Sequence, residues 1–397
     1  MNFLRRRTGY NSDSDDDNEP KSSINKSRKP PNTAFRQQRL KAWQPIMTPK
    51  SVIPFLFILA IIFAPLGIGI LFTTTRVEKI SIDYSTCASH DSSYKTIPSK
   101  YVNYHLNSNS KDVEFKWKSE THKDDFDDDI PSCHIQFNLP KDLKPPIYLY
   151  YQLTNFYQNH RKYVSSYDLE QLKGIAVSKD DLDDDCKPLK FDDDGKIIYP
   201  CGLIANSFFN DSISNLTLLN AKTSQDNETY PLSQTGISWN SDVNHKYKKT
   251  EYDPEDIVPP PNWYKMFPNG YNKTNLPDLK TWEVFQNWMR TAGLSSFYKL
   301  YGVNKHDKLT SGTYEIEIKM NYPVEIFDGT KSIVITTNSI FGGRNLSLGI
   351  IYIIVAIVSL ALGILFLLQT IIRPRKVGDH DFLQNSNREP TAIREQL

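Results

Sequence analysis

This sequence predicts an integral membrane protein in which two transmembrane α-helices, with both termini cytosolic, flank a large, mainly antiparallel-β ectodomain with some helix. Three observations predict it. Two charge-free apolar runs lie near opposite ends of a 397-residue chain. All four cysteines fall between those runs. Between the runs, several short segments alternate apolar with polar residues, the period of a half-buried strand.

The runs come first because they set the topology. Mean hydropathy is −0.50, an average that hides Ser51 to Thr75 and Asn345 to Ile372, neither of which carries a charge. Each exceeds the ~20 residues a helix needs to cross ~30 Å of hydrocarbon, so residues 51–75 and 345–372 are expected to span. Arg36, Arg39, Lys41 and Lys50 precede the first run, and Arg373, Arg375 and Lys376 follow the second. On the inner flanks Arg76 and Lys79 alternate with Glu78 and Asp83. Positive flanks stay in the cytosol, so residues 1–50 and 373–397 are expected inside and 76–344 outside. The first run lies too deep in the chain for a cleaved signal peptide and reads as an uncleaved signal anchor. Neither run holds an ionisable residue, the usual mark of an ion path or proton relay. The spans therefore read as anchors or packing partners. Gly349, Ser359 and Gly363 offer the small side chains that close helix approach needs.

The cysteines Cys87, Cys133, Cys186 and Cys201 support the same orientation, since an even number on the oxidising side implies two disulfides. Four cysteines allow three connectivities. Sequence order favours Cys87 with Cys133 and Cys186 with Cys201, the shortest loops; a loop of about 15 residues is worth roughly 3 kcal/mol. Five glycosylation sequons lie in the same region, at Asn210, Asn215, Asn227, Asn272 and Asn345. Asn345 sits almost against the second span, and a sixth match at Asn25 falls on the cytosolic side, where it is expected to stay bare.

Residues 1–50 have the composition of a disordered tail. Within it Ser12 and Ser14 stand in an acidic run suited to an acid-directed kinase, and residues 36–43 suggest a short amphipathic helix on the membrane face. In the ectodomain, Cys133 to Leu139, Ile147 to Leu153 and Tyr314 to Met320 alternate as strands, and Ser332 to Thr337 is rich in β-branched residues. Leu279, Trp282, Phe285 and Met289 recur at helical spacing, so a helix is expected over residues 278–300 with Asp278 as N-cap. Pro259 to Trp263 reads as polyproline or turn.

No chemistry-bearing motif emerges. There is no P-loop, nucleophile elbow, H-E-x-x-H, C-x-x-C or phosphorylated-aspartate pump motif. The acidic runs at 124–129, 180–185 and 192–194 lack the alternating ligands and closing Glu of a calcium loop. With a net charge of +1, overall charge suggests no nucleic-acid partner. No metal or cofactor is implied. His160, Arg161 and Arg290 follow or lie within aromatic-rich stretches; the two arginines either form buried ion pairs or bind a partner.

Several blocks taken together resemble one family. They are Gln37-Gln38-Arg39-Leu40; Asn155-Phe156-Tyr157-Gln158-Asn159-His160-Arg161-Lys162-Tyr163; Tyr199-Pro200-Cys201-Gly202-Leu203-Ile204-Ala205-Asn206-Ser207 with Phe209-Asn210-Asp211; Pro259-Pro260-Pro261-Asn262-Trp263; Trp288-Met289-Arg290; Gly329-Thr330-Lys331-Ser332; and Gly342-Gly343-Arg344-Asn345. In order and spacing they make the chain similar to a fungal member of the cell-division-control-fifty/ligand-effect-modulator family, the non-catalytic β-subunits of type IV P-type ATPases. The resemblance covers residues 32–374. It implies a β-sandwich-like ectodomain and the disulfides Cys87–Cys133 and Cys186–Cys201. It also implies a heterodimer with an ATPase that carries all the chemistry, and contact with membrane phospholipids. The chain would fold with the ATPase, escort it from the endoplasmic reticulum to Golgi, endosome and plasma membrane, and support flipping of lipid, phosphatidylserine above all, to the cytosolic leaflet. His160, Arg161, Trp288 and Arg290 become the expected partner-binding residues. The competing expectations are a glycosylated cell-surface receptor or adhesion protein, and a membrane-tethered hydrolase.

Overall fold

The computed structural model describes residues 33–40, 47–107, 113–123, 129–219 and 227–374. Ser12, Ser14, Asn25, Lys41, Arg375, Lys376 and the acidic residues 124–128 lie outside them. So do residues 41–43 of the expected amphipathic segment; of the rest, residues 36–38 belong to a turn over 34–38 and residues 39–40 to no regular element.

Both apolar runs are helices: α1 (Pro49–Thr75) and, at the other end, α6 (Ser347–Ile372). At 1.5 Å per residue each is about 40 Å long, more than the ~30 Å hydrocarbon layer. Reciprocal bonding of Thr48 and Ser51 starts α1 (Thr48 N to Ser51 Oγ 3.2 Å, Ser51 N to Thr48 O 3.0 Å). Asn345 Oδ1 accepts from Ser347 N at 3.0 Å and starts α6 two residues later than expected. Contacts divide the chain into two units, residues 56–364 and the chain on either side of them. In the latter, the span ends line a recess of about 300 Å³ with Met47, Val52, Phe366 and Arg373.

Within 56–364 the two helices pack antiparallel, with Phe63 against Tyr352 and Phe57 beside Gly363. The buried positions include Ala60, Gly67 and Thr74 on α1 and Gly349, Ala356 and Gly363 on α6. Both series step by seven, the repeat that keeps a seam facing its partner in a left-handed crossing. The approach is close enough that a Cβ on Gly67 would sit 2.8 Å from Ile353 Cγ1, and one on Gly349 2.7 Å from Leu71 Cγ.

The ectodomain is built on two large sheets. The first has the order β12 (Phe297–Asn304), β6 (Ile147–Leu153), β14 (Lys331–Thr337), β1 (Lys79–Asp83), β3 (Val102–His105), antiparallel throughout. The second runs β10 (Glu228–Tyr230), β9 (Leu216–Leu219), β13 (Gly312–Lys319), β5 (Asp129–Leu139), β4 (Phe115–Lys123), β2 (Lys95–Thr96), with β8 (Ser212–Ile213) also on β13. β7 (Ile197–Ile198) and β11 (Ile257–Val258) form a small parallel pair. Alternate residues of both sheets enter one continuous core: Ile80, Ile82, Leu149, Tyr151, Ile333 and Ile335 from the first, Trp117, Ile135, Phe137, Ile316 and Ile318 from the second. The Cys87–Cys133 disulfide ties the turn after β1 to β5, hence one sheet to the other, and Cys186–Cys201 closes a 15-residue separation.

The spans leave from the middle of the first sheet. β1 follows α1 after three residues, β14 leads into α6, and the two strands are neighbours with Lys79 opposite Thr336. Main-chain and hydroxyl bonds between Glu78 and Thr337 (Thr337 N to Glu78 O 2.9 Å, Glu78 N to Thr337 Oγ1 2.9 Å) close the ladder at that end.

The helix expected over residues 278–300 needs correction. Helix α5 covers only Glu283–Met289, and β12 begins at Phe297. Asp278 caps the turn before it, its Oδ1 accepting from Lys280 N at 3.0 Å. The helix ends where Arg290 turns to an extended conformation (φ −80°, ψ 97°), and the buried Lys299 reaches back to that end from β12. Its ammonium donates to the carbonyls of Asn287 at 3.0 Å, Trp288 at 3.4 Å and Arg290, orphan acceptors at the helix C-terminus. Among the described residues the ectodomain also holds three four-residue helices, α2 (Arg161–Val164), α3 (Leu169–Leu172) and α4 (Leu203–Asn206), and short 3-10 and π-helical turns, one of which (Asp242–Lys246) carries Asp242.

Candidate functional site: the ectodomain surfaces

The resemblance blocks do not form a catalytic constellation. They form a scaffold of loops. The register of the first sheet puts Leu153, Phe297 and Lys331 side by side, at the end opposite the spans. There the loops 154–160, 290–296 and 324–330 converge. Asn159 Nδ2 donates to Gly293 O at 3.1 Å, Gln158 Oε1 accepts from Ala292 N at 2.9 Å, and Asn155 Nδ2 donates to Phe327 O at 2.5 Å. Asn155 adopts φ 56° to make this reach, a left-handed conformation that Asn tolerates. Under the loops Phe156 packs on Tyr163, Trp288, Phe297 and Phe327.

The expected partner-binding residues separate into three kinds. His160 and Arg161 are exposed at the start of α2, and neither side chain has an ion pair or hydrogen bond among the described residues. Trp288 is not a surface residue at all. It is 0 % exposed, with its indole N–H on Ile204 O at 2.7 Å, so its placement in a partner-binding set is corrected to a core role. Arg290 is half exposed. It forms a bidentate pair with Asp242 (Nε–Oδ2 2.5 Å, a second nitrogen to Oδ1 3.0 Å) and lies 4.3 Å above the exposed Trp239 ring. Burial, then the Arg290 charge, pushes Lys299 down to about 7.

One buried charge network was not legible in the sequence. Asp211 and Lys331, with side chains 0 % and 3 % exposed, pair at 2.8 Å. Asp211 also accepts from Tyr84 OH at 2.9 Å and from the backbone N–H groups of Asn321 and Tyr322 at 2.6 Å each. Lys331 donates in addition to Tyr322 O at 2.7 Å. Burial, then Asp211, drives the Tyr84 hydroxyl well above its ordinary value. The network joins the ends of β1, β8, β13 and β14. The paired Phe209-Asn210-Asp211 and Lys331-Ser332 blocks were the only signal for it.

A second surface lies on the outer face of the first sheet, nearer the spans. The Ser339–Gly342 turn, closed by two main-chain bonds of 2.9 and 3.0 Å, holds Ile340 93 % exposed and Phe341 beside it. With Lys79, Tyr150, Tyr298, Val334, Thr336 and Arg344 it borders a recess of about 470 Å³. Lys79 donates to Tyr298 OH at 3.2 Å. Two cations, aromatic rings and no carboxylate line this recess, a composition suited to the membrane–water boundary.

The sequons differ in exposure. Asn215, Asn227, Asn272 and Asn345 are exposed, while Asn210 is half-buried with its Oδ1 shielded. At Asn272 the side-chain oxygen already accepts from Thr274 Oγ1 at 2.6 Å and from two main-chain N–H groups, an Asx turn.

Two long apolar helices leaving adjacent central strands of a disulfide-braced β ectodomain define an integral membrane protein with two spans. The chain belongs to the LEM3 (ligand-effect modulator 3) family / CDC50 family, whose model matches residues 70–376. It is 49 % identical over 373 residues to phospholipid-transporting ATPase accessory subunit CRF1 of Saccharomyces cerevisiae, covering 92 % of this chain and 91 % of the relative. It is 42 % identical over 404 residues to accessory subunit CDC50 of Chaetomium thermophilum, with 98 % of each covered. Cell cycle control protein 50A of Mus musculus is 36 % identical, with 94 % of this chain and 95 % of the relative covered.

Proposed function

We propose that this chain is the accessory subunit of a phospholipid-transporting P-type ATPase. The observation that carries the reading is end-to-end similarity to relatives named as such accessory subunits, covering both spans and the whole ectodomain. The subunit itself is non-catalytic: ATP hydrolysis and the lipid path belong to its partner. Both termini face the cytosol, and residues 76–344 lie in the lumen or outside the cell. Cationic flanks support that orientation, as do two disulfides between the spans. Asn215, Asn227, Asn272, Asn345 and the half-buried Asn210 are the glycosylation sites, and Ser12 and Ser14 the phosphorylation sites.

The spans supply packing. Beyond the small-residue seam, α1 and α6 expose Ile, Leu and Phe over most of their surface, which suits packing beside a larger helical bundle as well as lipid. The outer surface around Phe341 and Arg344, close to the start of α6, meets the short outer loops of the partner. His160 and Arg161, at the far end of the first sheet, form a second contact. The complex assembles in the endoplasmic reticulum and works in Golgi, endosome and plasma membrane, moving phosphatidylserine to the cytosolic leaflet.

Purification of the chain in mild detergent tests this. A P-type ATPase is expected to co-purify at one copy per chain, and cells without the chain should retain that ATPase in the endoplasmic reticulum and lose uptake of labelled phosphatidylserine. Normal export of the chain in cells stripped of every such ATPase would overturn the reading.

A further inference from the structure

The outer face of the second sheet carries a cluster that the accessory role does not use. The register sets Lys118 opposite His134 and Glu120 opposite Ser132, and on the other side of β5 it sets Glu317 opposite His134 and Glu315 opposite Gln136. Glu120 and His122, two apart on β4, share a face. One ligand atom from each of Glu120, His122 and His134 lies within 4.8 Å of the others.

The orientation of His134 is the informative feature. Its Nδ1 lies 3.2 Å from Glu315 Oε1. Glu315 is itself held through Oε2 by Tyr94 OH at 2.9 Å and Gln136 Nε2 at 2.7 Å. A carboxylate on Nδ1 places the proton there and leaves a lone pair on Nε2. That Nε2 is buried and has no hydrogen-bond partner among the described residues. It faces Glu120 Oε2 at 3.6 Å, and His122 Nε2 approaches the same oxygen at 3.8 Å. Lys118 is paired with the other oxygen, Oε1, so it orients the carboxylate without covering Oε2.

We propose that Glu120, His122 and His134 form a binding site for a divalent transition metal of the zinc class. A tetrahedral Zn²⁺ at bond lengths near 2.0–2.1 Å sets its ligand atoms about 3.3 Å apart, so the observed 3.6 and 3.8 Å, and a third separation within 4.8 Å, close by side-chain rotation, chiefly of the half-exposed His122. Glu315 is then a positioning residue, the outer carboxylate that fixes the tautomer of a ligating histidine. Two imidazoles favour zinc over the oxygen-seeking Ca²⁺ and Mg²⁺. Water fills the fourth position. The ion would cross-link β4 to β5 one residue from Cys133, on the face of β5 opposite the disulfide.

The test is zinc binding by the full-length chain in detergent, after chelator treatment, measured by competition with a chromophoric zinc indicator and by the visible spectrum of the Co²⁺ form. One Zn²⁺ per chain is expected, with a tetrahedral Co²⁺ spectrum. Glu315→Gln should weaken binding by about 10–100-fold while keeping one site at saturation. His122→Ala, a change at a half-exposed position, should weaken it at least as much with the fold intact by circular dichroism. His134→Ala should abolish it. Failure of the folded wild-type chain to retain zinc overturns the proposal, and so does equal retention by His122→Ala.

Discussion

The span pair and the ectodomain meet the same requirement, close packing, with opposite materials. The spans approach through Ala60, Gly67, Thr74, Gly349, Ala356 and Gly363, and the large side chains of both helices mostly face outward. The ectodomain does the reverse. It buries Trp117, Trp263, Trp288, Tyr151 and Phe209, stacks Tyr151 on Phe209 at 3.9 Å, and encloses an Asp211–Lys331 ion pair. In lipid an outward Leu costs nothing, so the helices gain by contact geometry alone. In water the ectodomain must hide its apolar surface and satisfy each buried polar group. The difference teaches that the ectodomain is a self-contained fold, whereas the spans leave a wide apolar surface available to a larger partner.

The largest effect should come from breaking the buried pair. Asp211→Ala leaves Lys331 uncompensated and should cost about 3–5 kcal/mol. It is expected to lower the ectodomain melting temperature sharply and to hold the chain in the endoplasmic reticulum. Asp211→Leu combined with Lys331→Met should recover only part of the loss: it removes the stranded ammonium but leaves Tyr84 OH and the N–H groups of Asn321 and Tyr322 without their acceptor. An unchanged melt for Asp211→Ala would show that the network is not a keystone of the fold.

A smaller effect should separate the two regions. Gly349→Leu overfills the seam against Leu71, a change worth about 1–3 kcal/mol in a packed core. Cysteines placed at Phe63 and Tyr352, whose rings lie 5.2 Å apart, should then cross-link much less efficiently, with ectodomain melting unaltered. If both properties change together, span and ectodomain are coupled more tightly than the packing implies.

The smallest effect is a pH dependence at Lys299. Its folded pKa is about 7 against an unfolded value near 10.4. Between these values the unfolded chain binds the additional proton, so this group's contribution to stability rises from pH 7 upward and is flat below. Relative to Lys299→Met, the wild-type melting temperature should climb between pH 7 and 9. Parallel curves would mean that the three carbonyls on its ammonium keep it charged throughout.

Much of the architecture was open to reading because it rests on local pattern. A charge-free run of membrane length has one stable form in lipid, and the strands at 133–139, 147–153 and 314–320 follow from alternation alone. The helix over 278–300 misled for a complementary reason. Leu279 to Met289 has helical spacing, but only Glu283–Met289 is helix; Arg290 turns extended and the chain enters β12 at Phe297, from which Lys299 bonds back to the carbonyls of Asn287, Trp288 and Arg290. Trp288 shows the same limit, since an aromatic beside an arginine looks alike on a surface and in a core.

Periodicity, charge and cysteine placement thus determined from the sequence by itself that two helices span a membrane and that a cross-linked β domain lies between them, because each of these depends on neighbours along the chain. Only the tertiary structure decided what distant residues do together. It set Asp211 against Lys331, brought three family blocks to one end of the first sheet, and lined up Glu120, His122, His134 and Glu315 across three strands. Such groupings depend on register, and register is settled by which faces the folded chain can bury at once.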